Sequence, residues 1–423
     1  MTLEQPMPKT LTMSEWLANA LLLFTLFPYI SPVPLKSDIQ LVSAVLAMLV
    51  IFVRWWLDRE AIKFSWSELG IFVMALIYLC YATPASWLDY SEVIRKSAAM
   101  MLGFFVYLAA KLSYRSFSVK IVMAAAIVHL GVAMLQSVSP DLHKAIIQPF
   151  LSQIRGAEDR GVGGACSEPS FLANIGILLP IIAWVVAGNG SNKLTKGAWI
   201  LVWVAVAGLI GLSQAATASV YGIVILIVFG ISRGLKSGLI TTAVTVVLGM
   251  SLVAAGPSMP SSRATDLVKV AFDNPRLIIE DPSASMRLVG HYLAGPSLIE
   301  KPFGNGLIKL DQDYFWFLWN KYNIDTWYEV DISRMSGQYY AIGYGLTDFG
   351  ASTLRMGWVF IGLLVFWLLQ YRGSKYSPAV IAFVALGVLS SIPIVFPAYW
   401  LLLGCVQADR ERRASLETIP QTL

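Results

Sequence analysis

Two arginines and a group of glycines lie directly before an apolar segment of the chain. Arg155 and Arg160 are followed by Gly163 and Gly164, and the apolar segment begins a few residues later, near Pro169. Glycines allow backbone N–H groups to approach a ligand closely, and the N-terminus of a helix adds partial positive charge. Guanidinium groups bind phosphate through parallel N–H groups. The spacing therefore indicates a phosphate-binding segment at the start of a helix.

The residues between the glycines and the apolar segment have two interpretations. In the structural one, Ser167 caps the helix, Glu168 lies at its positive end, and Pro169 takes a first-turn position where its missing N–H costs nothing. In the functional one, Glu168 and the following Ser170 belong to the phosphate site. Capping alone does not explain the neighbouring glycines and arginines, and the sequence leaves both interpretations open.

A second group of chemically competent residues lies further along the chain. Residues 284–295 are predicted to form a helix capped by Ser283 or Ser285, on which Arg287 and His291 share one face at i and i+4. A guanidinium group is always charged, and an imidazole titrates near neutrality. The pair therefore suits the binding of a pyrophosphate and the transfer of a proton.

The same two residues also have a structural interpretation. Arg287 can pair with a nearby acid, Glu280 or Asp281, and His291 can be a surface or packed histidine. The sequence thus identifies a candidate pair without fixing its role.

The segment after this helix is rich in aromatic residues. It includes Trp316 and Trp319, with Asp311 and Asp313 beside them. Such a cluster is typical of an interfacial belt or of the core of a loop seated on a bilayer. The alternative is a platform for sugar rings, on which the aspartates accept hydroxyl protons. Both interpretations describe an ordered loop next to a membrane.

These candidate residues are embedded in a strongly apolar chain. Of its 423 residues, 57% are hydrophobic and 13% are charged, and the mean hydropathy is +0.65, whereas soluble domains contain about a quarter charged residues. The apolar runs are continuous, which favours membrane helices. The sequence therefore predicts an all-α polytopic integral membrane protein and excludes a water-soluble enzyme and a single-span receptor.

Ten crossings follow from the apolar runs, and a C-terminal apolar stretch, 377–406, brings the count to about twelve. Pro393 and Pro397 interrupt that stretch, which predicts two short tilted helices or a re-entrant hairpin, with a single broken span as the alternative. The chain, 1–423, is treated as one membrane domain. The predicted crossings are residues 15–33, 39–53, 67–83, 97–110, 121–137, 169–188, 197–213, 214–232, 237–256 and 353–371.

Lysine and arginine residues are distributed unevenly between the two sides of these crossings. With a cytoplasmic N-terminus, the five inner loops contain twelve Lys and Arg residues and the short outer loops contain three. This asymmetry predicts a cytoplasmic N-terminus, and Arg410, Arg412 and Arg413 favour a cytoplasmic C-terminus as well. Two large loops, 138–168 and 257–352, then lie outside, and they contain the candidate residues.

Ionisable side chains are almost absent from the middles of the predicted crossings. His129 is the clear exception. A proton- or ion-coupled transporter is expected to carry several such groups, and a single histidine is more typical of a packed, hydrogen-bonded residue. The pattern disfavours a transporter and leaves it as an alternative.

Three motifs, in order along the chain, resemble the signature of the Wzy-type exopolysaccharide and O-antigen polymerases. One opens a helix after an outer loop, one resembles the Ser/Thr-rich start of the next family helix, and one resembles the arginine and Pro-x-Gly-x-Gly pattern of the large periplasmic loop. With the predicted topology, the resemblance covers most of the chain from residue 97 onwards. The motifs are Arg160…Gly163-Gly164…Glu168-Pro169-Ser170…Ala173, Leu212-Ser213-Gln214-Ala215-Ala216-Thr217-Ala218-Ser219, and Ser285-Met286-Arg287…Pro302-Phe303-Gly304-Asn305-Gly306.

The resemblance implies a GT-C-like membrane glycosyltransferase of the bacterial inner membrane with a periplasmic active site. It would polymerise undecaprenyl-pyrophosphate-linked oligosaccharide repeat units, and the lipid pyrophosphate would be the leaving group. Arg287 and Arg160 would bind the pyrophosphate, with Arg155 in reserve, and Glu168 would orient a substrate or act as a base. The expected substrate-contacting residues are Arg155, Gly163, Gly164, Ser170, Gly304, Gly306, Trp316 and Trp319.

The resemblance leaves the general base open. The related O-antigen ligases have a histidine shortly before the next span, whereas residues 345–357 of this chain contain none. Asp348 or His291 could take that role. A polymerase is therefore preferred, with a glycan ligase of the same superfamily as the nearer alternative and a lipid-linked-glycan transporter as the more distant one.

Neither a cofactor nor a metal is expected, because no acidic metal-binding pair stands out and arginines can supply the positive charge. The net charge of +5 is distributed over membrane loops and argues for no nucleic-acid partner. The expected partners are the lipid bilayer, the lipid-linked glycans, a chain-length regulator and a flippase.

Overall fold

The computed structural model describes most of the chain. The described residues are 12–31, 41–57, 90–151, 161–189, 195–213, 227–231, 282–304, 312–324, 348–372, 374–389 and 396–417, with short pieces at 59, 64–66, 68–70, 73, 234, 236, 239, 243 and 274. Within these residues the structure is helical apart from turns and an isolated β-bridge between Ile30 and Leu151. The all-α prediction is confirmed for this part of the chain.

The α-helices of the described residues are numbered in chain order. Short 3-10 turns at Tyr114–Ser116 and Gln148–Phe150 accompany them. The helices are α1 (Met13–Leu26), α2 (Val42–Trp56), α3 (Tyr90–Ser113), α4 (Val119–Val138), α5 (Pro140–Ile146), α6 (Pro169–Ala187), α7 (Lys196–Ser213), α8 (Pro282–Glu300), α9 (Gln312–Lys321), α10 (Asp348–Met356), α11 (Trp358–Gln370), α12 (Ser377–Leu389) and α13 (Pro397–Glu417).

Several of these helices have the composition of membrane spans. Within the described residues, α4, α6 and α7 are long and apolar enough to cross a membrane, and α1, α2, α11 and most of α12 are shorter apolar helices. The structure is thus compatible with a membrane protein. The predicted crossings 67–83, 214–232 and 237–256 lie mostly outside the described residues, so the count of about twelve stays a prediction.

Several predicted crossings have different boundaries in the structure: α1 ends at Leu26 and not near residue 33, and two further differences affect the predicted topology. Helix α3 begins at Tyr90, so Arg95 and Lys96 belong to a helix and not to an outer loop. The crossing predicted over 353–371 is two helices, α10 and α11, because Gly357 between them has a φ of 58°, which a helix does not contain.

The C-terminal apolar stretch forms two helices, α12 and α13, on either side of residues 390–395. Two helices were one of the alternatives for this stretch. Helix α13 is not short, however, and continues to Glu417. Arg410, Arg412 and Arg413 therefore lie on a helix that begins with apolar residues and not in a separate tail.

Helix α6 is enclosed by other helices. Most of its residues are buried, and it contacts α4, α7, α12 and α13. Because its apolar residues surround the whole helix, burial on one face alone would leave the rest uncovered. Gly176 allows α7 to come close, since a Cβ atom there would lie 3.3 Å from the Cβ of Leu209. The N-terminus of α6 is thereby fixed relative to the rest of the bundle.

His129 is a packed, hydrogen-bonded residue of α4, as the sequence indicated. Its Nε2 lies 2.8 Å from the carbonyl oxygen of Leu26, and its ring stacks on Phe27 with 4.1 Å between centroids. The Leu26 carbonyl ends α1 and has no acceptor role within the helix. The imidazole N–H therefore caps one helix from another.

Three of the loops that the charge pattern placed on one side lie together at one end of the bundle, here called the basic end. The Asn19 side-chain amide donates to the carbonyl oxygen of Ser116 at 3.0 Å, and Arg54 donates to the Ser116 hydroxyl oxygen at 2.6 Å. Asn189 donates to the carbonyl oxygen of Phe117 at 2.9 Å. These contacts join α1 and three of the predicted inner loops.

Glu68 and Lys111 form a buried ion pair at the basic end. Their side chains are 0% and 9% exposed, and Oε1 of Glu68 lies 2.5 Å from Nζ of Lys111. Lys111 also pairs with Glu411 of α13 at 2.9 Å. Gln407 donates to Glu411 and to Ser65. The network connects α3, α13 and the segment around Ser65.

Replacing Lys111 with methionine should strongly lower the stability of the protein. The change leaves the Glu68 carboxylate buried without its cation, and removing one partner of a buried ion pair costs about 3–5 kcal/mol. Thermal unfolding of the purified protein in detergent measures the effect as a lowered Tm.

The double variant Lys111→Met with Glu68→Gln is the control, because it removes both buried charges. It should recover most of the lost Tm, and the exposed Lys120→Met variant should unfold like the wild type. A Lys111→Met protein as stable as the wild type would contradict the role of this ion pair.

Candidate functional site

The glycine turn, residues 161–168, leads directly into α6. Its residues Ala165 and Cys166 belong to the main hydrophobic core, and the Val162 N–H donates to the carbonyl oxygen of Leu212 near the end of α7 at 3.2 Å. Burial raises the pKa of the Cys166 thiol. The turn is thus packed into the helix bundle and bonded to it, and does not lie over its surface.

Gly164 is held by two side chains. Its N–H donates to Oε1 of Gln136 at 2.6 Å, and its carbonyl oxygen lies 2.8 Å from Nε2 of His143. Its φ of 60° is left-handed, and a Cβ atom there would lie 3.3 Å from Leu172 and 3.4 Å from Ala133. Only glycine adopts this conformation without strain.

This arrangement corrects the role predicted for Gly164. The sequence indicated that the glycine amides are exposed to a phosphate, but the Gly164 N–H is already bonded to Gln136. The Gly163 carbonyl oxygen accepts from the Cys166 N–H at 2.9 Å, so Gly163 also takes part in the internal bonding of the turn. Gly164 therefore shapes the turn and does not present its own N–H group to a ligand.

The start of α6 also differs from the capping interpretation. The N-cap residue is Glu168 rather than Ser167, and the Glu168 side chain makes no capping hydrogen bond. Pro169 occupies the first turn as predicted. The Glu168 carboxylate instead accepts from the Ser170 hydroxyl at 3.2 Å and is partly exposed. The helix therefore begins without using this carboxylate as a cap.

Most of the residues predicted to form the second large loop that the structure describes belong to a separate packing unit, here called the loop cluster, formed by α8, α9 and α10. Helix α8 packs along α10 and contacts α9. It begins at Pro282, so Ser283 and Ser285 lie inside the helix and the predicted serine caps are wrong. The core of the loop cluster consists of Val289, Leu293, Tyr314, Leu318, Trp319, Ile324, Ala351 and Leu354.

Arg287 and His291 lie one turn apart on α8, as predicted. Arg287 is buried, with 8% of its surface exposed. The His291 ring is partly exposed and lies 5.7 Å from the ring of Phe349 on α10. Phe349 directly follows Asp348, at the start of α10. The structure therefore places the His291 ring beside the first turn of α10, which also contains Asp348, another candidate base.

Trp319 is a core residue of the loop cluster. Only 1% of its surface is exposed, and it packs among the apolar residues of α8, α9 and α10. Its ring therefore offers no open face to a sugar, and the platform interpretation is wrong for this residue. Burial agrees with the alternative of a loop core.

Gly304 lies where two backbone segments cross. Its φ is 73°, and a Cβ atom there would overlap the backbone of Arg355 and Met356. The N–H of Trp358 donates to the carbonyl oxygen of Pro302 at 2.8 Å. The Pro302–Gly304 turn thus packs against the junction of α10 and α11, which gives Gly304 a packing role, and its predicted substrate contact stays a prediction.

Charged residues join the ends of α8 and α9. Glu300 accepts from Nζ of Lys321 at 2.6 Å, which lowers the pKa of Glu300 and raises the pKa of Lys321. Lys301 lies over the ring of Tyr314 with 3.9 Å from Nζ to the centroid. The ion pair is partly solvent-exposed and contributes little to stability, but it keeps both groups charged.

The candidate residues fall into two places. Glu168, Ser170, Gly163 and Gly164 belong to the glycine turn and α6, whereas the remaining described candidates belong to the loop cluster or adjoin it. Several predicted residues lie outside the described part of the chain: Arg155, Arg160, Gly306 and the side chains of Asp348 and Trp316.

Two residues of the turn were not identified from the sequence. Gln136 lies in the last turn of α4 and His143 lies on α5, and both hold Gly164. The sequence places them in or beside the same predicted loop, but nothing in their spacing indicates that they converge on a glycine that follows them by 28 and 21 residues. Among the described residues, no group of His, Cys, Asp and Glu side chains could hold a metal ion.

Replacing Gly304 with alanine should destabilise the loop cluster. The new Cβ would overlap the Arg355 backbone and force an L-residue into a positive φ, and overpacking of this kind costs about 1–3 kcal/mol. Hydrogen–deuterium exchange should show faster exchange across α8, α9 and α10.

Gly295→Ala is the matched control on the neighbouring helix, because no described atom lies within 4 Å of its Cβ position. That variant should exchange at the wild-type rate or more slowly, since alanine favours a helix. Equal exchange in both variants would contradict the packing role of Gly304.

The chain matches no model of a known protein family, and no curated protein matches it.

Proposed function

We propose that the protein is a membrane glycosyltransferase of the Wzy type, which polymerises undecaprenyl-pyrophosphate-linked oligosaccharide repeat units at the periplasmic face of the bacterial inner membrane. The proposal rests on the resemblance of the three motifs and on the apolar helices. The N-terminus and C-terminus would be cytoplasmic, and both large loops would face the periplasm.

The observation that carries the proposal is the start of α6. An acidic or hydroxyl side chain at an N-cap ordinarily bonds to the backbone of its helix, but the Glu168 side chain makes no capping bond, and its carboxylate accepts from the Ser170 hydroxyl. A partly exposed carboxylate at a rigid helix start can orient a substrate hydroxyl or accept its proton.

The reaction would be a displacement at an anomeric carbon. The acceptor hydroxyl oxygen forms a bond to that carbon, the bond from the carbon to the pyrophosphate oxygen breaks, and the pyrophosphate leaves with the bonding electron pair. The acceptor proton passes to a base, for which Glu168, His291 and Asp348 are candidates. Negative charge grows on the pyrophosphate, so fixed cations beside it lower the barrier.

Arg287 is our first choice for that cation. It lies on a helix that has its own apolar core, and a buried setting strengthens the attraction between a guanidinium group and a phosphate oxygen relative to bulk water. His291 follows one turn later on the same helix. Arg160, next to the glycine turn in sequence, is the second candidate, with Arg155 in reserve.

Replacing Arg287 with alanine should abolish polymer formation. Loss of one group that stabilises developing charge costs about 100-fold or more in rate. The purified protein is incubated with synthetic undecaprenyl-pyrophosphate repeat units, and the lipid-linked products are resolved by size. Arg287→Lys should retain part of the activity, because lysine keeps the charge but loses the planar fork.

Leu288→Ala is the control, since it alters the exposed neighbour of Arg287 on the same helix. It should give the wild-type product ladder at equal protein level. A normal ladder from Arg287→Ala would refute its role with the pyrophosphate. Transfer of a single glycan to another acceptor, without a ladder, would indicate the ligase.

Polymerisation should not require a divalent metal ion. The proposed mechanism places guanidinium groups where other enzymes use a metal to stabilise phosphate charge. The product ladder should therefore be unchanged after treatment with EDTA, when measured against a sample to which Mg²⁺ is returned. Loss of the ladder with EDTA and its recovery with Mg²⁺ would contradict the metal-free mechanism.

A further inference from the structure

We propose that His143 is a positioning residue that sets the backbone direction of the glycine turn and thereby the place of the Glu168 carboxylate. The effect of His143 on catalysis through Glu168 rests on the proposed function. The hydrogen bond by which His143 holds the turn can be tested without any assay of activity.

The contact has a definite hydrogen-bond polarity. Nε2 of His143 lies 2.8 Å from the carbonyl oxygen of Gly164, and a carbonyl oxygen can only accept, so Nε2 carries the proton. His143 is buried, with 5% of its surface exposed. A buried imidazole requires a partner, and this one is used to hold a backbone carbonyl group.

His143 and Gln136 together fix both peptide planes beside Gly164. The N–H bonded to Gln136 belongs to the peptide between Gly163 and Gly164, whereas the carbonyl bonded to His143 belongs to the peptide between Gly164 and Ala165. Each peptide is planar and trans, so one anchored group fixes the direction of the whole unit. Glycine at φ 60° would otherwise rotate with little resistance.

The peptide between Gly164 and Ala165 affects the position of Glu168. The four residues from Ala165 to Glu168 follow this peptide and lead into the first turn of α6. The other end of that run is already fixed, because the Glu168 carbonyl oxygen accepts from Phe171 and Leu172 within α6. At the end of this short segment that lies outside the helix, His143 holds the carbonyl group of Gly164, beside the bonds from Gly164 to Gln136 and from Cys166 to Gly163.

The helix that carries His143 is itself anchored to the bundle. Helix α5 begins with Pro140 and follows α4 after one residue. Beyond α5, the Ser31 N–H donates to the carbonyl oxygen of Phe150 at 3.0 Å, and Ile30 pairs with Leu151. Residues on both sides of α5 are thus fixed, so the His143 imidazole can hold the Gly164 carbonyl group in one position.

Cys166 reports on the turn without reference to catalysis. Its thiol is buried and follows Gly164 by two residues. N-ethylmaleimide can reach it only when the turn opens, and loss of one hydrogen bond raises an open population by about tenfold. Labelling at Cys166 is measured by peptide-resolved mass spectrometry of the intact, purified protein.

The experiment compares three variants. His143→Gln keeps an N–H donor near the position of Nε2, whereas His143→Phe removes it and preserves the bulk of the ring. Cys166 in His143→Phe should be labelled about tenfold faster than in wild type, and His143→Gln should restore slow labelling. Leu142→Ala, an exposed neighbour on α5, should label like the wild type.

Polymer formation supplies the second readout. His143→Phe should lower kcat with a much smaller change in KM, because the carboxylate is displaced from its working position when the Gly164 carbonyl is not held, and His143→Gln should recover most of the rate. If His143→Phe is not obtained folded, His143→Asn replaces it, because its shorter amide does not reach the Gly164 carbonyl.

The two proposals fail in different ways. Equal labelling of Cys166 in all variants overturns the role of His143, whatever the activity. Faster labelling in His143→Phe with unchanged polymer formation overturns its link to Glu168. No polymer from the folded wild-type protein overturns the proposed function, and the labelling series then still decides whether His143 holds the turn.

Discussion

The carbonyl oxygens at the C-terminal ends of apolar helices need hydrogen-bond donors, and an unsatisfied one costs several kcal/mol where no water is present. This chain supplies donors from side chains that are distant in sequence. In three places a side chain donates to a carbonyl oxygen in the last turn of a distant helix: His129 to Leu26 of α1, Tyr114 to Val185 of α6, and Arg410 to Gln370 of α11. Each bond attaches the end of one helix to a distant segment, so the bonding of helix ends contributes to the assembly of the bundle.

The same requirement explains the glycine turn. Between 161 and the start of α6 the backbone has no helical bonds of its own, yet part of it is buried in the main core. Gln136 and His143 supply the missing partners for Gly164. A turn bonded in this way is ordered before any ligand arrives, which is what a site needs in order to act on developing charge without reorganising.

The sequence predicted what depends on local pattern and missed what depends on distant contacts. Helix α6 was predicted over 169–188, since a continuous apolar run started by proline defines both a helix and its beginning. The break at Gly357 could not be read in this way, because its cause is the close approach of Pro302 from another segment. Likewise, the burial of Trp319 follows from three helices meeting, whereas its sequence neighbours suited a surface and a core equally well. The Arg287 and His291 face was predictable, because helical spacing alone creates it.

The glycine turn and the loop cluster are built on different principles, and the proposed reaction gives a reason for this. The glycine turn shares the core of the bundle, whereas the loop cluster has a core of its own and contacts the bundle through α10 and α12. A polymerase must admit two large lipid-linked glycans and release a longer one at each cycle. A carboxylate on the bundle and an arginine on a separately packed unit would let the acceptor hydroxyl and the leaving pyrophosphate be held by different parts of the protein. An in-line displacement fits the same division, because the proton is removed on one side of the anomeric carbon and the negative charge grows on the other.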